Sequence, residues 1–106
     1  MYMQIRKFKL KSDDAETVCK QAAEDFLPIV KQLKGFVDYA IVDNRDGHVM
    51  SVTVFQDKSG IDESKRQAIE WHKKHSNKFL EGPVEVIEGE VLVDSSGFLR
   101  KAGKAA

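Results

Sequence analysis

The order in which the hydrophobic periodicity changes along this chain constrains its fold more than any other feature. Apolar residues that alternate with a period of two are typical of strands, and spacings of three and four are typical of helices. Six such segments run over residues 2–10, 15–33, 36–43, 48–56, 61–80 and 84–93, and the second and fifth have the helical spacing. The sequence therefore predicts a ferredoxin-like α+β fold of order βαββαβ, with a four-stranded antiparallel sheet and two helices on one face.

Local signals predict where the first helix begins, bends and ends. Residues 12–14, Ser-Asp-Asp, offer an N-cap, and Glu16 follows Asp13 by three positions, as in a capping box. Pro28 interrupts the helix and removes one hydrogen bond, but the apolar stripe continues beyond it. We therefore expect a single bent helix that ends at Gly35.

Glycine-containing turns predict the remaining boundaries. Residues 44–47, Asn-Arg-Asp-Gly, join two strand-like runs, and the Asn, Asp and Gly residues are suited to the positive φ angles of a tight hairpin. Gly82 and Pro83 are expected to end the second helix, whose inner stripe includes Phe79 and Leu80. Residues 1–94 are predicted to form one domain, and residues 95–106 a C-terminal tail.

The strands are apolar on both faces, which predicts a partner for the sheet. Two helices cover only one face of the sheet. If the other face met water, each strand should alternate apolar residues on the covered face with polar residues on the exposed face. The third strand instead places Met50 and Val52 on one face, and Val49 and Phe55 on the other. A large apolar surface normally marks an interface, and two-fold pairing is the commonest symmetry, so we predict a homodimer. The alternative is that one face of the sheet lines an internal ligand pocket.

The composition excludes several classes of function. Seventeen basic and seventeen acidic residues give a net charge of zero, which argues against nucleic-acid binding. No apolar stretch approaches the roughly 18 residues of a membrane-spanning helix, and the amino terminus does not look like a signal peptide. Cys19 is the only cysteine, so an internal disulfide cannot form. We therefore expect a cytoplasmic protein without a membrane partner.

One set of residues has the pattern of a known family, namely Gly35 to Asp43, Gly47, Ser51 to Phe55, Ser64, Ala68, Trp71 and Gly89 to Val91. On these residues the chain resembles the antibiotic biosynthesis monooxygenase-like domains of the dimeric α+β barrel superfamily. The resemblance extends over residues 2–93 and implies a homodimer whose two sheets form a barrel, with a cleft between sheet and helices in each subunit. It also implies a small apolar or aromatic ligand and no cofactor.

Six residues are candidates for the site. His72 and His75 are the candidate catalytic residues, because a histidine that faces a pocket can act as a general base. Trp71, Tyr39, Arg6 and Phe55 are the candidate substrate-binding residues. The simpler interpretation is that one histidine is packed and the other solvated, and that the aromatic residues belong to the core or to an interface. We predict no metal site, because two histidines provide too few ligands for zinc.

The resemblance leaves more than one function open. One is cofactor-independent monooxygenation of an aromatic or quinone-like substrate. The alternative is a non-catalytic ligand-binding or stress-response role. Haem binding and degradation ranks behind both, because the haem-degrading branch pairs its histidine and tryptophan with an asparagine on the first strand. The first strand here has Gln4 and Arg6 and no asparagine.

Overall fold

The structure is a computed structural model that describes residues 1–11 and 15–99. Its strands are β1 (Tyr2–Leu10), β2 (Phe36–Asp43), β3 (His48–Phe55), β4 (Leu80–Glu90), β5 (Val93–Asp94) and β6 (Gly97–Phe98), and its α-helices are α1 (Ala15–Gln21), α2 (Leu27–Lys31) and α3 (Lys58–Trp71). The first π segment (Ala22–Phe26) joins α1 to α2, and the second π segment (His72–Ser76) extends α3. The predicted capping box includes residues 12–14, which lie outside the described residues.

Strands β1 to β4 form one antiparallel sheet in the order β2-β3-β1-β4, and both helices pack on one face of it. The predicted ferredoxin-like fold is therefore confirmed. Strands β5 and β6 form a separate short hairpin, in which Val93 pairs with Phe98 and Asp94 with Gly97. The chain from residue 95 to residue 98 thus folds back on the preceding strand.

Pro28 is accommodated by a widened turn, so the first helix continues from Ala15 to Lys31 as predicted. A proline inside an α-helix lacks the N–H donor, and its ring clashes with the carbonyl group four residues earlier. Here the backbone N–H of Leu27 donates to the carbonyl oxygen of Ala22, five residues back. This π geometry lies in the turn immediately before Pro28, where the α-helical pattern could not be kept.

The second helix ends earlier than the sequence predicted. Its N-cap is Asp57, whose carboxylate accepts a hydrogen bond from the Gly60 backbone N–H, and its last helical residue is Ser76. The assignment of Phe79 and Leu80 to this helix was wrong. Leu80 begins β4 opposite Leu10, and its side chain is buried in the core on the helix side of the sheet. Leu80 thus lies in the apolar layer between sheet and helices, as a residue of the helix would, but it belongs to the strand.

The predicted hairpin between β2 and β3 is present, but its positive φ angles are not all where we expected. They occur at Arg45 (61°) and Gly47 (89°), not at Asn44 or Asp46. Carboxylate acceptors hold the turn, because Asp43 accepts from the Arg45 N–H and Asp46 from the His48 N–H. These side-chain bonds allow a non-glycine residue to adopt the left-handed conformation.

The face of the sheet away from the helices carries an apolar row across all four large strands. Ala40, Val52, Ile5 and Ile87 are consecutive cross-strand neighbours in this row. Ile87 is 54% exposed, and none of the four side chains is buried. We call this surface the outer face. It is the face that the sequence analysis predicted the two helices would not cover. No helix within the described residues is long and apolar enough to cross a membrane.

Gly60 must remain without a side chain because α3 lies directly on the ring of Phe55. A Cβ atom at Gly60 would lie 2.6 Å from Cγ and 2.9 Å from Cβ of Phe55, which is completely buried.

We expect Gly60→Ala to lower the free energy of unfolding by about 1–3 kcal/mol through overpacking. Denaturant unfolding measures this change. Gly89→Ala, where no such contact exists, should stay within about 0.5 kcal/mol of the wild type; equal losses in both variants would contradict the packing explanation.

Candidate functional site

A small cavity lies between the helix-facing side of the sheet and the two helices. Its volume is about 40 Å³, and its polar lining is Arg6, Tyr39, Ser51, Trp71, His72 and Ser76. Rings of Phe8 and Phe26 and the small side chains of Ala22 and Ala68 complete much of the wall. A volume of this size holds a few water-sized groups, so a larger ligand requires movement of the wall.

Both π segments contribute to the cavity wall. Ala22 and Phe26 come from the first segment, and His72 and Ser76 from the second. In the second segment the Asn77 backbone N–H donates to the carbonyl oxygen of His72, five residues back, over 3.0 Å. Single π turns inside helices are frequent at functional sites. Their position here indicates that the helices are shaped around this cavity.

His72 lines the cavity, whereas His75 does not. The His72 Nδ1 atom lies 2.7 Å from the Ser76 Oγ atom, and its ring is 6.1 Å from the ring of Phe8. Burial lowers the pKa of His72 below its ordinary value, and the positive charges of Lys11 and Arg6 lower it further. His72 is therefore neutral at pH 7. His75 is exposed, with its ring 6.2 Å from that of Trp71.

Arg6 brings a positive charge to the cavity without a negative partner among the described residues. Its guanidinium carbon lies 5.5 Å from the centre of the Phe8 ring. Burial lowers the pKa of Arg6, and the neighbouring Tyr39 opposes that change. An arginine remains protonated under all ordinary conditions, so the cavity carries this charge at any working pH. The described ion pairs lie elsewhere on the surface.

Tyr39 and Trp71 add two further hydrogen-bond donors. Burial raises the pKa of Tyr39 to about 12 despite the opposing charge of Arg6, so its hydroxyl keeps the proton. The indole N–H of Trp71 is buried and has no acceptor among the described residues. Both rings pack at 5.7 Å against the ring of Phe26. A buried donor without an acceptor is unusual in a folded protein and indicates a place for a ligand or water.

Phe55, the remaining candidate, lies in the core and apart from the cavity lining. It is completely buried and clusters with Phe26, Val30 and Ile61. Its ring packs edge-on at 5.8 Å against that of Phe36. The structure therefore brings Arg6, Tyr39, Trp71 and His72 together and leaves Phe55 and His75 outside.

The sequence analysis did not identify Gln4, Ser76 or the small residues of the wall. A cavity of about 10 Å³ adjoins the main one at Arg6, Tyr39, Ser51 and Ala68, and it is also lined by Gln4. The Gln4 side chain is 2% exposed and donates to a Glu88 carboxylate oxygen over 2.9 Å. The signal was present in β1 and β3, where polar residues alternate at the helix-facing positions.

A haem group does not fit the cavity as it stands. The space of about 40 Å³ is far smaller than a porphyrin, and His72, the histidine in the wall, has one ring nitrogen paired with Ser76. His75 is exposed on the surface of the second π segment. Nor does any group of three or more His, Cys, Asp or Glu side chains in residues 1–11 and 15–99 suit a metal ion.

Comparison with known proteins supports the fold. No family model matches the chain, and neither does any curated protein. Among solved structures, a MhuD variant with two manganese protoporphyrin IX molecules bound per active site matches with 18% identity and a TM-score of 0.66, covering 92% of this chain and 100% of that one. SnoaB, a cofactor-independent oxygenase from Streptomyces nogalater, matches with 16% identity and a TM-score of 0.64, covering 85% and 91%.

A third match is a dimeric ferredoxin-like protein from an uncultured marine organism, with 15% identity and a TM-score of 0.66, covering 93% of this chain and 98% of that one. At such identities the likeness concerns the fold. The chain therefore shares the ferredoxin-like fold of these proteins. The resemblance to the antibiotic biosynthesis monooxygenase-like domains is thus confirmed at the level of the fold.

The environment of His72 makes a specific titration behaviour measurable by NMR. We expect its imidazole to titrate below pH 6.5, because burial and two nearby cations disfavour the protonated form. The unfolded chain then binds the proton more readily, so the free energy of unfolding decreases as the pH falls below about 6.5. Arg6→Met should raise the pKa of His72, whereas Lys65→Met, on the exposed side of α3, should leave it unchanged. A His72 pKa that is insensitive to Arg6→Met would contradict this description of the cavity.

Proposed function

We propose that this protein binds a small aromatic or quinone-like molecule between sheet and helices and oxygenates it without a cofactor. The observation that carries the proposal is the set of donors around one cavity, namely Arg6, Tyr39 and the indole N–H of Trp71, the last of which is buried without an acceptor among the described residues. Apolar rings and small side chains form the rest of the wall, which suits a flat aromatic ligand. The fold shared with SnoaB, a cofactor-independent oxygenase, supports the reaction class.

In such a reaction the substrate provides the electrons and the protein provides a base and polar contacts. A phenol loses its O–H proton, a ring carbon of the phenolate forms a bond to O₂, and loss of water from the resulting hydroperoxide leaves a quinone. One phenol and one O₂ thus give one quinone and one water. The protein must stabilise the phenolate before the first electron leaves it.

His72 is the residue of the cavity suited to accept the phenol proton. It is neutral at pH 7 because burial and nearby cations lower its pKa. If Nδ1 carries the hydrogen and donates it to Ser76 Oγ, then Nε2 is free to accept a proton from the substrate. Ser76 is 2% exposed and so holds the ring in a fixed orientation. Ser76 therefore acts as a positioning residue for His72.

Ligand binding must widen the cavity, and the second helix provides the movable part of the wall. Trp71 and His72 are only half-buried, so both reach the surface beside the cavity. The second π segment directly follows Trp71 and ends the helix at Ser76. A rotation of the Trp71 side chain toward solvent would open space next to Phe26 without disturbing the completely buried core around Phe55.

We also propose that the outer face pairs with the outer face of a second copy. Its central row, Ala40, Val52, Ile5 and Ile87, is apolar and lacks cover. Beside that row Lys7 lies opposite Glu85, so charges stand at the margin of the apolar row. The dimeric ferredoxin-like protein of the same fold supports this arrangement. Covering such a surface contributes about 25 cal/mol per Å² of apolar area.

Substitution within this row should separate the subunits. We expect Ile5→Glu to convert a dimer into a monomer in native mass spectrometry, because a carboxylate at the centre of the interface would be buried without a partner. Ile69→Glu is the matched control, since Ile69 is exposed on α3, on the helix side of the sheet. Circular dichroism establishes that both variants are folded. A wild-type protein that is monomeric at micromolar concentration would contradict the paired-sheet proposal.

Filling the cavity should abolish ligand binding without unfolding the protein. Ala68 lines both cavities, and Ala68→Leu adds three carbon atoms to that space. We expect the affinity for 1-naphthol to fall at least 10-fold, measured by quenching of Trp71, which is the only tryptophan. Ala23→Leu, on the exposed side of the first π segment, should bind like the wild type.

Oxygen uptake then separates the enzyme from a binding protein. The wild type under air should consume one O₂ for each naphthol oxidised, and Ala68→Leu should not. Binding of 1-naphthol and related phenols without oxygen uptake would instead support the non-catalytic ligand-binding alternative. Unimpaired binding in Ala68→Leu would show that the ligand lies elsewhere. A Soret band on titration with haemin that His72→Ala abolishes would favour the haem alternative.

A further inference from the structure

We infer that the cavity takes its aromatic ligand as an anion, with an ionised oxygen held by the Arg6 guanidinium group. This inference rests on the proposed function and narrows it from aromatic molecules in general to those with an acidic hydroxyl or carboxyl group on the ring. The expected ligands are hydroxyquinones in their ionised form and aromatic carboxylates. Neutral quinones and hydrocarbons fall outside this class.

The first reason is the unbalanced charge of Arg6. Arg6 is partly buried, and charges that folding removes from water are normally paired, because removing an ion from water without a partner is costly. Arg6 lies in the middle of β1, faces the helices and contacts the ring of Phe8 at 5.5 Å. Within residues 1–11 and 15–99 it makes no ion pair. A ligand anion would supply the missing charge.

The second reason is the excess of donors over acceptors among the cavity side chains. Tyr39 keeps its proton, the Trp71 indole N–H lacks an acceptor in the described part of the chain, and Arg6 offers up to five N–H donors. The described lining contains no carboxylate side chain. An ionised oxygen can accept several hydrogen bonds at once, so it matches this set better than a hydroxyl group that must also donate.

The charged groups around the cavity favour a single negative charge. From β1, Arg6 and Lys11 at its end act on His72, and both lower the pKa of that histidine. From β2, Asp43 acts on Cys19 of α1, and burial together with this carboxylate raises the pKa of the thiol. Asp43 is exposed and is not part of the cavity lining. The field at His72 is therefore positive and comes from Lys11 and Arg6, of which Arg6 lines the cavity.

The apolar walls limit the remainder of the ligand. Phe8, Phe26, Val49 and Ile41 line the cavity, and they offer dispersion contacts to a ring but nothing to a hydrated inorganic anion. A phosphate or sulfate ion would keep most of its charge away from Arg6 and lose water without compensation. The pairing of one arginine with aromatic walls thus selects a flat ring with one ionised oxygen.

Two matched probe pairs test the inference. The first pair is 2-hydroxy-1,4-naphthoquinone, which is ionised at neutral pH, and its neutral 2-methoxy analogue. The second is 1-naphthoate and the neutral 1-naphthamide. We expect the wild type to bind the anion of at least one pair 10- to 100-fold more tightly than its neutral partner, by calorimetry and Trp71 fluorescence. The pair that shows the preference identifies the source of the anion, an ionised hydroxyl or a carboxylate.

Three variants assign the preference to Arg6. Arg6→Met should remove it, Arg6→Lys should retain part of it because the charge is kept, and Lys65→Met, an exposed charge on α3, should leave it unchanged. The visible spectrum of bound 2-hydroxy-1,4-naphthoquinone gives an independent readout. Its ionisation should shift to lower pH on the wild type and not on Arg6→Met, a shift that a merely structural arginine would not cause.

The outcomes separate this inference from the function on which it rests. Equal binding of anion and neutral analogue in both pairs, or a preference that survives in Arg6→Met, would overturn the inference while leaving an aromatic binding protein. Failure of all four probes and of 1-naphthol to bind the wild type would overturn both. If Arg6→Met does not fold, Arg6→Lys and the spectral shift on the wild type still decide the matter.

Discussion

The polarity of β1 is the constraint on which the rest of the structure depends. This strand is central in the sheet, between β3 and β4, and its two faces reverse the usual pattern. Gln4 and Arg6 point toward the helices, where a core would normally be apolar, and Met3 and Ile5 point away from them, where water would normally be met. The first reversal creates a polar cavity beneath the helices, and the second creates an apolar outer face. One strand thus determines both the polar cavity and the apolar outer face.

The fold could be predicted from the sequence, because period-two and helical patterns are properties of single segments. The outer face was also predictable, since Met50 and Val52 oppose Val49 and Phe55 on the same strand. The ends of the elements were harder to predict. Leu80 continues the apolar spacing of the second helix and yet begins β4, because helix and strand bury their side chains in the same apolar layer.

The site could be predicted only in part. Histidines three positions apart both look suitable, and the widened turn that places His72 in the wall and His75 outside it depends on tertiary packing. Phe55 was indistinguishable from a pocket residue, because its burial under Gly60 arises from contact between distant segments. That Arg6 forms no ion pair within residues 1–11 and 15–99 is a property of the three-dimensional arrangement, and the spacing of residues in the sequence does not reveal it.

The π segments have a consequence for reading helical patterns. Buried positions in the first helix are Val18, Ala22, Phe26 and Val30, all four residues apart, whereas an α-helix needs a mixture of threes and fours to hold one face. A strict interval of four drifts by about 40° per step on an α-helix, and a wider turn cancels that drift. The wider turn also rotates Ile29 partly toward solvent, so that its side chain is 37% exposed. An uninterrupted α-helix would place Ile29 on the buried face. The interval of four between buried residues is therefore the result of the widened turn, and it is not apparent in the sequence, where Ile29 and Leu33 continue an ordinary helical stripe.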